Sequence, residues 1–148
     1  MLYLYLIVIK MIYITRREHF NAAHKLHNPT WSQEKNEEVF GKCANPNWHG
    51  HNYILYVTVK GKINPETGYS ANLKDISSII KKYITEKLDH KNLNLDVDFL
   101  KDMMPSTENV AIAIWKELLP HINSLGCKLH CIKLCETENN YVEYFGEE

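Results

Sequence analysis

One segment limits the possible folds of this chain more than any other: "HGHNYILYVTVKG", residues 49–61. Every second residue from His49 to Val59 is either a histidine or an apolar residue. Alternation with period two is the pattern of a β-strand that buries one face, and residues of the same parity share that face. We therefore predict a strand over 49–61 in which His49 and His51 lie side by side and continue the buried apolar stripe to its end.

The rest of the chain predicts an α+β domain around this strand. Further strands are predicted over 11–24, 127–136 and 141–145. Helices are predicted within 32–41 with Ser32 as N-cap, from Leu73 to Leu88 with Asn72 as N-cap, and from Ser106 or Thr107 to near Pro120. The two long helices give the order ββααββ, which predicts a four-stranded antiparallel sheet with two helices packed on one face. Such a sheet has edges that need pairing, so we expect oligomerisation through them.

Composition argues against several functional classes. A length of 148 residues predicts one domain. The net charge of −1 gives no sign of the excess of basic residues that a nucleic-acid-binding protein usually has. Four unevenly spaced cysteines favour a reduced, cytoplasmic setting. The apolar start extends nine residues before Lys10, whereas a membrane span needs roughly 20. We treat residues 1–10, which alternate as a strand does, as an N-terminal extension, and 11–148 as the domain.

His24 is the best candidate for a third metal ligand beside His49 and His51. It ends the strand predicted over 11–24, and antiparallel pairing brings that end to the start of the next strand. Three protein ligands that leave a fourth position open form the usual catalytic zinc site. Hydrogen-bonded core histidines are the structural alternative, but an HxH in phase with a buried stripe favours a metal.

Cys43, in "GKCANPNWHGHNY", allows two interpretations. As a fourth metal ligand it would close the site and make the metal purely structural. As a base or nucleophile beside the metal it would leave the fourth position open, because a nearby cation favours the thiolate. The spacing does not distinguish these two roles, and both stay open.

Two adjacent residues in "LDHKNLN", Asp89 and His90, form a candidate acid–base pair at the end of a helix. Where the helix unwinds, an aspartate can orient a histidine and raise its basicity. The structural alternative is a histidine favoured by the helix C-terminus beside a surface aspartate. From these residues alone the structural alternative is the simpler one.

The strand over 127–136 carries two further features. Glu136 follows its apolar residues and is placed to point into a cleft, where a carboxylate can bind a guanidine-like N–C–N edge through two parallel hydrogen bonds. Cys127, Cys131 and Cys135 have one parity, so we predict that they are strand residues on a single face, without a chemical function.

Five motifs together resemble a known family: "FNAAH", "GKCANPNWHGHNY", "LDHKNLN", "STENVA" and "ETENN" occur in the order and spacing of 6-pyruvoyl-tetrahydropterin synthases. The resemblance runs from about Arg16 to Gly146. It implies the T-fold, in which sheet edges join subunits into trimers and two trimers stack into a homohexamer with substrate sites between subunits. The implied reaction converts 7,8-dihydroneopterin triphosphate to 6-pyruvoyl-tetrahydropterin and triphosphate with the help of Zn²⁺.

The resemblance also implies roles for nine residues. The family's zinc ligands correspond to His24, His49 and His51. Its proton-abstracting cysteine and the two partners of that cysteine correspond to Cys43, Asp89 and His90. Its pterin-anchoring glutamate and two neighbouring pocket residues correspond to Glu136, Ser106 and Thr107. The triphosphate needs cations, for which Arg16, Arg17 and Lys25 are candidates.

Two other functions remain as alternatives. The sister enzyme, 6-carboxy-tetrahydropterin synthase of the queuosine pathway, shares the fold, the zinc and the substrate. Its cysteine usually lies four residues before the first histidine of the HxH, whereas Cys43 lies six residues before His49. Family members with glutamate in place of this cysteine cleave the substrate differently, and Cys43 argues against that reaction. A non-catalytic zinc- or pterin-binding protein, with Cys43 on the metal, is the alternative from another class.

Overall fold

The computed structural model describes residues 10–147. The strand-like alternation of the first nine residues therefore lies outside the described part of the chain. The strands are β1 (Met11–His24), β2 (His49–Lys62), β3 (Lys91–Asn92), β4 (Lys128–Cys135) and β5 (Tyr141–Tyr144). The helices are α1 (Gln33–Phe40), α2 (Leu73–Ile80) and α3 (Thr107–Asn123). None of the helices in this range is long and apolar enough to cross a bilayer.

The strands form one sheet in the order β3-β1-β2-β4-β5. The pairs β1–β2, β2–β4 and β4–β5 are antiparallel, which confirms the predicted four-stranded arrangement. β3 is an addition that the sequence did not predict: it pairs parallel to β1 through Ala22 and Ala23. With only two residues, β3 shows no alternation from which a strand could be inferred.

The long helices cover one face of the sheet, as predicted. Alternate residues of β2 from Tyr53 to Val59 are fully buried on that face. The helices add further fully or almost fully buried side chains, among them Ile76, Ile80, Ile84, Val110, Ile114, Leu118 and Ile122. This common core holds the ends of β1 and β2 in a fixed relation to the start of α3.

The predicted helix caps are confirmed. The side chains of Ser32, Asn72 and Ser106 each accept a hydrogen bond from a backbone N–H in the first turn of their helix. Ser106 is thus the cap of α3, and Thr107 is its first helical residue. α2 continues through a π-helical turn, Lys81–Thr85, and a last turn, Glu86–Leu88, so the predicted helical stretch from Leu73 to Leu88 is continuous.

The prediction that the three late cysteines share one face is wrong. A β-bulge shifts the pairing of β2 and β4, so that Val59 lies opposite Leu129 but Thr58 lies opposite Cys131. Cys127 therefore belongs to the core beneath the helices, whereas Cys131 and Cys135 point to the helix-free face. One extra residue in a strand reverses the facing of all residues beyond it.

Candidate metal centre and active-site cleft

The three predicted metal-binding histidines meet at one end of the sheet. The antiparallel register pairs His24 with His49 and places Ala22 opposite His51. One potential ligand atom from each of His24, His49 and His51 lies within 4.8 Å of the others. The ring centroid of His24 lies 4.5 Å from that of His49 and 5.1 Å from that of His51. The predicted proximity of the triad is therefore confirmed.

His24 is held in one orientation by its surroundings. Its side chain is almost completely buried, and its Nδ1 lies 2.8 Å from the carbonyl oxygen of Pro105, to which it donates a hydrogen bond. Pro105 immediately precedes the cap of α3, so the start of that helix fixes the ring. A histidine that donates from Nδ1 presents an unprotonated Nε2, which is the arrangement that metal-binding histidines usually have.

The nitrogen atoms of the triad fit a metal ion. Both ring nitrogens of His49 and the Nε2 of His51 are buried without a hydrogen-bond partner, which costs free energy unless a ligand compensates. Burial is the main cause that lowers the pKa of His24, His49 and His51, and neighbouring histidines of the triad lower it further. Neutral imidazoles are the form that binds a metal.

Cys43 lies outside the triad. Its free thiol is half-buried in the short turn Gly41–Ala44, and its carbonyl oxygen accepts a 2.8 Å hydrogen bond from the Leu26 backbone N–H. The pKa of Tyr53 is raised mainly by burial, then by Glu136 and Cys43. Among residues 10–147, the group of side chains able to hold a metal contains the three histidines, and neither Cys43 nor Glu136 belongs to it.

Asp89 and His90 form a hydrogen-bonded pair. The His90 Nδ1 donates to Asp89 Oδ2 over 2.8 Å, and the backbone N–H of Asn21 donates to Asp89 Oδ1, also over 2.8 Å. The hydrogen bond from Asn21, followed by that from His90, lowers the pKa of the Asp89 carboxyl. The His90 backbone N–H donates to the carbonyl oxygen of Asn21, so β1 fixes both residues.

One cleft connects these groups. A cavity of about 530 Å³ is lined by His90 and His51, and a second of about 630 Å³ by His51 and Glu136. Asn21, Gly50, His51 and Asn52 line both. The cleft thus runs from His90 at one end, past His51 of the triad, to Glu136 at the other.

Glu136 lies directly after β4, just beyond its last pair with β2, Ile54 and Cys135. Its Oε1 accepts a 3.0 Å hydrogen bond from the Thr107 hydroxyl, and the same oxygen lies 3.5 Å from His24 Nε2 and 3.6 Å from His51 Nε2. Glu136 and Thr107 are thus brought together as expected. The Ser106 hydroxyl contacts neither and accepts a hydrogen bond from the Asn109 N–H.

The three candidate cations for the triphosphate point in different directions. Arg16 donates to Glu18 over 2.8 Å on the helix side of the sheet. Lys25 lies over the Trp48 ring at 4.4 Å from its centroid. Arg17 instead lines the cleft together with His19. Sequence reasoning did not single out His19, although its odd parity in β1, shared with Arg17, was a usable signal.

Comparison with known proteins adds independent information. The family model described as 6-pyruvoyl tetrahydropterin synthase matches residues 13–147. A 6-pyruvoyl tetrahydrobiopterin synthase of Homo sapiens is 46% identical over 134 residues, which cover 90% of this chain and 91% of that protein. One of Dictyostelium discoideum is 41% identical over 138 residues, covering 93% and 98%. The structure of Caenorhabditis elegans 6-pyruvoyl tetrahydropterin synthase superposes with a TM-score of 0.87 at 33% identity, covering 94% and 98%.

Proposed function

Because the chain belongs to the 6-pyruvoyl tetrahydropterin synthase family, we propose that it converts 7,8-dihydroneopterin triphosphate to 6-pyruvoyl-tetrahydropterin with release of triphosphate, in tetrahydrobiopterin biosynthesis. The observation that carries this proposal is the cleft, in which His51 of the histidine triad lies between the His90 end and the Glu136 end. A metal site, an acid–base pair and a carboxylate for the pterin are the three groups that this reaction needs.

The triad is proposed to hold Zn²⁺ through His24, His49 and His51. Three neutral imidazoles match the ligand set of catalytic zinc sites, in which one position stays available to substrate. When bound, the ion supplies a Lewis acid beside the oxygen atoms of the substrate side chain. The remaining steps are assigned to other side chains of the proposed site.

Proton transfer is assigned to Cys43, Asp89 and His90. Cys43 removes a proton from the substrate side chain as the general base of the site. Asp89 accepts the Nδ1–H of His90 and so holds the imidazole in the tautomer whose Nε2 is free to exchange a proton at the neighbouring carbon. Asn21 holds Asp89 through its backbone and keeps the pair in place.

The two ends of the substrate are assigned to different groups. Glu136 binds the N–C–N edge of the pterin, because a carboxylate matches two parallel N–H donors, and Thr107, which donates to Glu136 Oε1, lies beside it in the pterin pocket. Arg17 and His19, which line the same cleft, bind the triphosphate. Arg16 is already paired with Glu18, so we leave it out of this role.

The free sheet edges support a homohexamer built from two trimers. Among residues 10–147, the outer edge of β1 is paired with β3 at Ala22 and Ala23, and the exposed Met11, Ile12 and Tyr13 lie farther along β1. At the opposite edge of the sheet, β5 exposes Tyr141. Pairing of β1 with β5 of the next subunit would close a ring and remove both edges. Molecular mass in solution, measured by sedimentation, tests this assembly.

The remaining assignments are the single catalytic domain over 11–148, with residues 1–10 as an extension, and a cytoplasmic location. A chain that starts at Met11 is expected to turn over substrate at the rate of the full chain. Fractionation of the source cells is expected to place the protein with cytoplasmic markers.

The decisive experiment is product identification by mass spectrometry after incubation of the zinc-loaded protein with 7,8-dihydroneopterin triphosphate. A pyruvoyl pterin supports the proposal. A carboxy pterin together with acetaldehyde would instead indicate the sister reaction. Absence of turnover in a protein whose zinc is bound by one sulfur and three imidazoles would indicate a binding protein.

A further inference from the structure

We propose that Glu136 is the fourth ligand of the metal centre at rest and leaves it when a pterin enters the cleft. The inference rests on the proposed function, because it presupposes a zinc ion on the histidine triad. It gives Glu136 a second task in addition to binding the pterin: the carboxylate closes the metal site until substrate is present.

The distances around Glu136 carry this inference. Its Oε1 lies 3.5 Å from His24 Nε2 and 3.6 Å from His51 Nε2. In a tetrahedral zinc site with bonds of about 2.0–2.1 Å, two ligand atoms are separated by about 3.4 Å. The carboxylate oxygen therefore already lies, relative to these two nitrogens, at the separation of a fourth ligand.

The hydrogen bonds of Glu136 point to the same conclusion. Binding a pterin N–C–N edge requires both carboxylate oxygens. Here Oε1 faces the triad and accepts the Thr107 hydroxyl over 3.0 Å, so the side chain is oriented for the metal rather than for a pterin. Thr107 belongs to the first turn of α3, next to the Pro105 carbonyl that holds His24.

The cleft gives the carboxylate room to exchange between two positions. The Glu136 side chain is 24% exposed and lines the cavity of about 630 Å³. Its backbone N–H is fixed to the carbonyl oxygen of Asn140, so the change of position falls on the side-chain torsions. Rotation toward a bound pterin would remove one ligand from the metal and free that position for the substrate side chain.

This exchange would couple metal reactivity to pterin binding. A carboxylate on zinc offsets part of the ion's charge and keeps other ligands away from the fourth position. The charge is exposed again only when the pterin competes for Glu136. The position of the Glu136 side chain would thus depend on whether a pterin is bound in the cleft.

Crystal structures of the zinc-loaded protein test this directly. Without pterin, a Glu136 oxygen is expected at about 2.0–2.2 Å from zinc. With 7,8-dihydroneopterin, which lacks the triphosphate leaving group, both oxygens are expected on the pterin. A pterin-free structure in which Glu136 lies away from a zinc ion held by the triad would overturn the inference and leave the proposed function intact. Failure of the triad to hold zinc would count against both.

Zinc affinity, measured by competition with a chelator, provides the second test. Glu136→Gln is expected to weaken zinc binding about 10- to 100-fold, the range seen when a group that supports a metal site is lost. Glu138→Gln removes an acid of the same loop and is the matched control, expected to bind zinc as the wild type does. Equal zinc affinity of Glu136→Gln and the wild type would refute a metal contact of Glu136.

Discussion

The metal triad and the Asp89–His90 pair are both fixed to β1, but by very different amounts of structure. The triad depends on β1 and β2, which pair over 14 consecutive positions, and His24 is 1% exposed. The pair depends on two backbone hydrogen bonds to Asn21, and the His90 side chain is 78% exposed. The metal half of the site is therefore part of the core, whereas the proton-transfer half is a local arrangement at a sheet edge.

We therefore expect a substitution in the metal half to abolish both zinc binding and turnover. A substitution in the proton-transfer half is expected to lower turnover and leave the zinc content unchanged. The largest effect is expected for His49→Ala, which removes one of the three histidine ligands. Zinc content, measured by elemental analysis, should fall from one ion per chain to near zero, and turnover should fall to background. His121→Ala is the control, because His121 stacks on Tyr83 and does not line the cleft. Retention of tightly bound zinc by His49→Ala would refute the triad.

A smaller effect on turnover, with no effect on zinc, is expected for Asp89→Asn. The amide no longer favours the His90 tautomer that exchanges protons at Nε2, and loss of general acid–base catalysis typically costs about 10²- to 10⁴-fold in kcat. Zinc content should remain at the wild-type value. If Asp89→Asn lost its zinc, the two halves would not be separable as described.

A still smaller effect is expected for Arg17→Met, about a tenfold rise in KM for the triphosphate substrate, because one charge-assisted contact is lost. Binding of 7,8-dihydroneopterin, which carries no triphosphate, should not change. Arg16→Met is the matched control, since Arg16 is paired with Glu18 on the other face of β1. Equal KM changes in the two variants would contradict the division by strand parity.

The smallest effect concerns the stability of the metal-free protein. Burial lowers the pKa of the three triad histidines from the ordinary value of 6.5. The unfolded chain therefore takes up these protons first as the pH falls, so stability is highest above 6.5 and declines below it. Thermal unfolding should show a smaller loss of Tm between pH 7.5 and 5.5 for His24→Gln than for the wild type. Identical pH dependence would show that the triad does not contribute.

The same division explains which parts could be inferred from the sequence. The period-two pattern of β2 and the antiparallel pairing with β1 sufficed to bring together His24, His49 and His51, because register follows from which face is buried. The Asp89–His90 contact needed the family resemblance, because it depends on a hydrogen bond from a residue 68 positions away.

Other features were missed. The bulge that separates Cys127 from Cys131 appears in the sequence only as a change of phase, because Leu129 is odd whereas Ile132 and Leu134 are even. β3 has two residues, which are too few to show an alternation of apolar and polar side chains. The approach of Glu136 to His24 and His51 depends on where the chain turns after β4, which local propensity does not determine.

Cys43 is proposed to act beside the metal and not to hold it. Zinc content, Tm and turnover of Cys43→Ala, measured on one preparation, distinguish these two roles. One zinc ion per chain and a Tm close to that of the wild type are expected, with turnover reduced about 10²- to 10⁴-fold. Loss of zinc together with a large fall in Tm would contradict this assignment and would make Cys43 a structural ligand.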